Sequence, residues 1–114
     1  MGIEIAPGEV DRAVEFFALL GFEPVDPPAA LADSFTWVER EGTQVHLMHE
    51  QSPTVPPRGH LAVVVPDFEV ALAHLREHGF EARPGREHWG APRAHVIAPG
   101  GHRVELMAAP PARA

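Results

Sequence analysis

An α+β fold of two consecutive βαβββ units is the architecture this sequence predicts, on three observations. The chain repeats itself: at an offset of 58 residues, IEIAPGEVDRAVEFFALLGFE from Ile3 lies without a gap over LAVVVPDFEVALAHLREHGFE from Leu61. The closing strands repeat as well, VHLM from Val45 over VELM from Val104, at an offset of 59. Within each copy the apolar period switches between the strand value and the helical one. A repeat of this length means that each copy is one structural unit.

Each element follows in order. Ile3 and Ile5 alternate with their neighbours as a half-buried strand does, and Leu61, Val63 and Val65 do the same in the second copy. Val10, Ala13, Val14 and Phe17 recur at helical spacing, as do Phe68, Ala71, Leu72 and Leu75. Asp67 stands where it would cap the second helix, and Gly21 and Gly79 stand where a helix ends in a left-handed residue. Short strands are expected near 22–25 and 80–83, and longer ones at about 35–40, 44–49, 94–98 and 102–108. Gly42 and the Gly100-Gly101 pair supply the hairpin turns. The first unit then covers 1–50, a proline-rich linker 51–59, and the second unit 60–114, all in one structural domain.

Composition narrows the functional classes. The chain has 114 residues and no cysteine, so a metal would be held by His, Asp or Glu. Lysine is absent too, which removes Schiff-base chemistry. The formal charge of −7 argues against nucleic acid and anionic membranes as partners. It is unevenly spread: residues 1–50 carry two Arg against ten Asp or Glu, and residues 51–114 carry seven Arg against six. That imbalance reads either as a solvated acidic surface or as a surface that favours cations. No apolar run is long enough to span a bilayer and no signal-peptide pattern opens the chain, so a cytoplasmic location is expected.

The stretches EVDRAVEFFALLGFEPV, RGHLAVVVPDFEVALAHLREHGFEA and APGGHRVELM resemble the vicinal oxygen chelate superfamily over nearly the whole chain. That superfamily includes glyoxalase I, extradiol dioxygenases and bleomycin-binding resistance proteins. The resemblance implies that each unit curls its sheet into half of a cup-shaped, barrel-like sheet. It also implies a homodimer, with a cup formed within one chain or shared between two. The superfamily hosts many chemistries, so the implied function divides.

Strand alternation puts His46, His60 and Glu105 on concave faces, and the resemblance makes them ligands of one divalent metal (Fe, Mn, Ni, Co or Zn). The fourth family position falls on Gly2, which has no side chain. Either the metal survives on three ligands, or Glu4 substitutes, or the site is metal-free. The first implied function is therefore metal-dependent lyase, isomerase or dioxygenase-type chemistry on a substrate with adjacent oxygens, with Glu4 or His88 as proton carrier. The alternative is a metal-free protein that sequesters an antibiotic. Each residue also has a plain structural reading: His46 as a hydrogen-bonded wall, His60 as an anchor to the linker, Glu105 as a partner of arginine.

Substrate contacts are expected from Trp37, Met48, Trp89, Arg93 and Met107, with Arg93 steering an anionic group and Trp89 stacking on a planar one. For Trp89 the competing reading is packing against its own loop, and for Trp37 it is the core. His74 and His78 read as a solvated helix flank, and His95 is expected to look into the cup opposite Thr36.

Overall fold

The computed structural model describes residues 1–111; residues 112–114, the end of the expected second unit, lie outside the described residues. The first unit runs β1 (Gly2–Ile5), α1 (Val10–Ala18), β2 (Glu23–Val25), β3 (Phe35–Arg40) and β4 (Thr43–His49). The second runs β5 (Leu61–Val64), α2 (Phe68–Glu77), β6 (Arg83–Pro84), β7 (Arg93–Ile97) and β8 (Arg103–Met107). The sheets have matching orders, β1-β4-β3-β2 and β5-β8-β7-β6, so each is the βαβββ unit that the repeat predicts. In both, a parallel first strand lies against the last one because the helix returns the chain across the sheet.

One face of each sheet is covered and the other is free of helix. Ile3, Ile5, Val38, Val45 and Leu47 of the first sheet and Leu61, Val63, Val96, Val104 and Leu106 of the second are buried against Phe16, Phe17, Leu72 and Leu75 of the helices in one core. The opposite faces carry the candidate site residues. Hairpin geometry holds their register: Glu41 and Gly42 both have positive φ (48° and 82°), the mirror-image turn that a right-twisted two-residue hairpin needs.

Three expectations are corrected. The strand expected at 80–83 becomes only Arg83–Pro84: Arg76 takes the carbonyl of Ala82 (3.1 Å), and Phe80 packs edge-on against Phe16 of the other unit at 5.1 Å. Asp67 takes the N-cap position of α2, yet its carboxylate makes no capping bond; its ψ of 58° is outside the extended region a capping residue occupies. The first-strand equivalence also moves. Gly2 pairs with His46, whereas Glu105, the repeat mate of His46, pairs with Ala62. Ala62 and not His60 therefore stands where Gly2 stands. The reason lies in the connections: β1 reaches α1 through a 3-10 turn at Pro7–Glu9, while β5 enters α2 almost directly.

The units meet along β1 and β5. His102 donates Nε2–H to the carbonyl of Glu4 (2.7 Å), and Arg40 donates to the carbonyls of Val64 and Leu20. Glu4 and Val64 occupy equivalent positions, opposite Met48 and Met107. Each hairpin thus stitches the open edge of the other unit's first strand, satisfying carbonyls that a sheet edge would leave unpaired.

Candidate functional site

Cross-strand partners share a face, so the registers fix what the two helix-free faces present. In the first sheet these pairs are Gly2–His46, Trp37–His46, Phe35–Met48, Glu39–Gln44 and Glu23–Glu39. In the second they are Ala62–Glu105, His95–Glu105, Arg93–Met107, Arg83–His95 and Ile97–Arg103. The second hairpin carries its extra residue in the turn, so β7 keeps the offset of 58 and His95 is the mate of Trp37, not of Thr36. Thr36 faces the helix side opposite Leu47, which corrects the expected His95–Thr36 juxtaposition.

The first wall is aromatic. Trp37 and His46 stack with centroids 3.9 Å apart and planes 6° from parallel. Gln44 fixes the imidazole through its Oε1, 2.9 Å from His46 Nε2, and is itself held by Glu39 (2.9 Å). The amide oxygen only accepts, so His46 Nε2 carries the hydrogen. Burial first, and then the nearby N-terminal ammonium, push the pKa of His46 below its ordinary value and keep the stacked ring neutral. Trp37 Nε1 is buried without a hydrogen-bond partner. Met48 fills the room beside Gly2: a Cβ there would lie 3.5 Å from Met48 Cε, in ordinary contact.

The second wall is charged. Glu105 is buried, and both of its oxygens are engaged: Oε1 by His60 Nε2 at 3.1 Å, Oε2 by Arg93 Nε at 2.9 Å. Arg93 also donates from Nη1 to the carbonyl of Arg86 (2.9 Å) and lies with Nη2 3.1 Å from His95 Nε2. Burial alone would raise the Glu105 pKa, but the bonds from Arg93 and His60 outweigh it and hold the carboxyl below its usual range. His95 is lowered by burial and then by the Arg93 charge, in keeping with a neutral ring that accepts from the guanidinium. Among the described residues, His46 belongs to one sheet and the His60–Glu105 pair to the other, and no three His, Asp or Glu side chains converge as a metal-holding group.

Of the remaining expected residues, Arg93 belongs to this network, pointing inward as the partner of Glu105 with 14% of its side chain exposed. Trp89 gives its indole N–H to the carbonyl of Ala109 (3.2 Å), which ties its loop to the chain after β8. His88 is exposed beside it. Glu4 accepts the N–H of Thr54 (3.2 Å) and so anchors the linker. His60 also reaches the linker through Nδ1, 2.9 Å from the carbonyl of Arg58. Met107 stands in the charged wall as the cross-strand partner of Arg93 and is buried there.

Two cavities open on these faces. One of about 250 Å³ lies between β1 and β5 and is lined by Gly2, Glu4, Met48, Thr54, Pro56 and His60 among others. A larger one of about 620 Å³ follows β6 and β7 and includes Phe80, Arg83, His95, Ile97 and Arg103. His95 looks out from the helix-free face, as expected, and Arg83 and Arg103, which the sequence alone did not single out, share that face; the signal was the alternation along β7 and β8, which puts every second residue on the face of Glu105 once the hairpin register is known.

The sequence profile of the Glyoxalase/Bleomycin resistance protein/Dioxygenase superfamily matches residues 3–106, and the chain belongs to that superfamily. Solved structures share the fold. One is a protein from Bacillus anthracis assigned to the glyoxalase family, with TM-score 0.82 and 22% identity over 93% of this chain and 88% of that one. The bleomycin resistance determinant encoded on the transposon Tn5 gives TM-score 0.65 and 15% identity over 94% of each chain. TnmS3, an antibiotic binding protein from Streptomyces sp. CB03234, gives TM-score 0.66 and 22% identity over 93% of this chain and 91% of that one. No sequence among the curated proteins matches.

A divalent metal fits the residues of this chain poorly. The carboxylate that would ligate it has no free oxygen, and a guanidinium lies among the donors, where it would repel a cation. Among the described residues no helix is long and apolar enough to cross a membrane.

Proposed function

We propose that the protein binds a planar organic molecule non-covalently between the two walls, without a metal, as a drug-sequestering protein does. The observation that carries this reading is the flat Trp37–His46 stack on the helix-free face, a pre-formed surface for a second planar ring. The wall charges add polarity to it. The first wall has three carboxylates (Glu4, Glu23 and Glu39) and no arginine, whereas the second has three arginines (Arg83, Arg93 and Arg103) with Glu105. A ligand with a cationic group over the first wall and an anionic or acceptor group over the second suits both. On the second wall, the cavity of about 620 Å³ along β6 and β7 falls within the usual range for drug-sized ligands, about 300 to 1,000 Å³. The antibiotic-binding and bleomycin-resistance proteins of the same fold make such drugs the first probes. A homodimer and a cytoplasmic location are part of this proposal.

The test is calorimetry with bleomycin and a panel of planar polycyclic drugs, repeated on Trp37→Phe. Binding by the wild type, weakened on the order of tenfold in the variant, is expected, since one stacked aromatic contact contributes about 0.5 to 1.5 kcal/mol beyond its area. The reading fails if no member of the panel binds, or if Trp37→Phe leaves affinity unchanged. A stoichiometric divalent metal in the purified protein would favour instead the metal-dependent chemistry assigned to His46, His60 and Glu105.

A further inference from the structure

The acceptors around Arg93 are all of metal-ligating kinds: a carboxylate oxygen of Glu105, a ring nitrogen of His95 and the carbonyl of Arg86. Their lone pairs converge on one small region, and the guanidinium fills it. His95 Nε2 faces a group that only donates, so it presents a lone pair there. His60 stands outside this region: both of its ring nitrogens face acceptors, Nδ1 the carbonyl of Arg58 and Nε2 the other oxygen of Glu105, and its ring centroid is 6.1 Å from that of His95.

The loop is also shaped around the arginine. A Cβ at Gly85 would come 2.9 Å from Arg93 Nη1 and 3.5 Å from His95 Cε1, closer to the guanidinium than side-chain carbons come without displacement. The Gly85 N–H meanwhile binds the Arg93 carbonyl at 2.9 Å. Glycine at 85 therefore leaves the room in which the guanidinium sits.

We propose that Arg93 is the resident cation of this site: it occupies the place a divalent metal would take among Glu105, His95 and the Arg86 carbonyl, and so closes the second wall to metals. The inference rests on the metal-free reading of the site and names the residue that enforces it. Removing the guanidinium leaves one imidazole, one carboxylate oxygen and one carbonyl facing a shared space, nitrogen and oxygen donors of the kinds that Zn²⁺ or Co²⁺ takes. Arg93 is thus a specificity-determining residue that turns a potential metal centre into an organic-ligand wall.

The test titrates Co²⁺ into the protein and follows its visible absorption and the heat of binding. All proteins carry His74→Ala, because exposed His74 and His78 lie four apart on the second helix and can take up metal themselves. Arg93→Ala is expected to bind one Co²⁺ with the intense bands of a four- or five-coordinate site, and adding His95→Ala to weaken that binding at least tenfold. Arg93→Lys, which keeps a cation in place, and the parent protein are expected to show no such bands. If Arg93→Ala does not fold by circular dichroism, Arg93→Met keeps the volume of the stem and carries the same test. A folded Arg93 variant that stays silent to Co²⁺ overturns the role of Arg93 while leaving drug binding by Trp37 intact. A parent protein that shows the same bands at the same affinity overturns both the role and the metal-free reading.

Discussion

The two halves of the chain place side chains at matching points and fill them with opposite chemistry. Trp37 and His46 in the first half stand where His95 and Glu105 stand in the second, and Phe35 stands where Arg93 does. Behind them the halves barely differ: Val38 and Val45 match Val96 and Val104, and Leu47 matches Leu106, each almost wholly buried. The covered face must be apolar to form a core, so its residue types are constrained. The open face has no such obligation, and there one half carries an aromatic stack edged by carboxylates and the other an ion-pair network.

If the covered faces are equivalent, equal damage should cost them equally. Leu47→Ala and Leu106→Ala each remove a fully buried side chain from the middle of a last strand. Each is expected to lower unfolding free energy by about 3 kcal/mol, within the range of about 2 to 5 for such truncations. Urea unfolding checks this. A difference of more than about 2 kcal/mol between them would show that the halves do not share one core.

The open faces should respond unequally. Glu105→Gln leaves Arg93 without its anionic partner in a place where Glu105 and Arg93 side chains are only 10% and 14% exposed, and a loss of about 2 to 3 kcal/mol is expected. His46→Gln removes a neutral, half-buried ring held by one side-chain bond, and should lower stability by about 1 kcal/mol or less. The same urea experiment reads both. Equal losses would mean that the charged wall is no more a structural keystone than the aromatic one.

How much of this was legible in the sequence follows from the same division. The covered faces were: their alternation and helical spacing gave both units, the strand at 35–40 to the residue, and the Gly21 and Gly79 helix ends, whose φ values are 90° and 85°. The open faces were legible only in part. His46, His60 and Glu105 were assigned the right face by alternation, but which of them meet depends on the registers of β1 and β5, and those differ by a 3-10 turn that no periodicity marks. Arg93 falls just before the strand expected at 94–98 and reads as steering an anionic group; it is the first residue of β7 and pairs with Glu105. Its pairing with Glu105 was one of the plain readings of that glutamate, and it is the one the structure shows.

The smallest expected difference between the halves is in their response to acid. The folded-state pKa values of His46, His95 and Glu105 are all lowered, so for each group the unfolded chain binds more protons than the folded one as pH falls. For the two imidazoles this means a contribution to stability that is present above the ordinary value of 6.5 and is lost as pH drops below it. For Glu105 the contribution is present above 4.5 and is lost only under stronger acid. Stability should therefore decline modestly from pH 7 to 5.5 and further below pH 4.5. The second half carries two of the three groups, joined through Arg93, so it should loosen first. Amide protection, taken relative to the slower intrinsic exchange at pH 5, is expected to fall between pH 7 and pH 5 more in β7 and β8 than in β3 and β4, and His95→Phe should narrow that gap. A uniform loss of protection across both hairpins would mean that the charged wall does not set the acid response, and that the two halves titrate as one body in spite of their different faces.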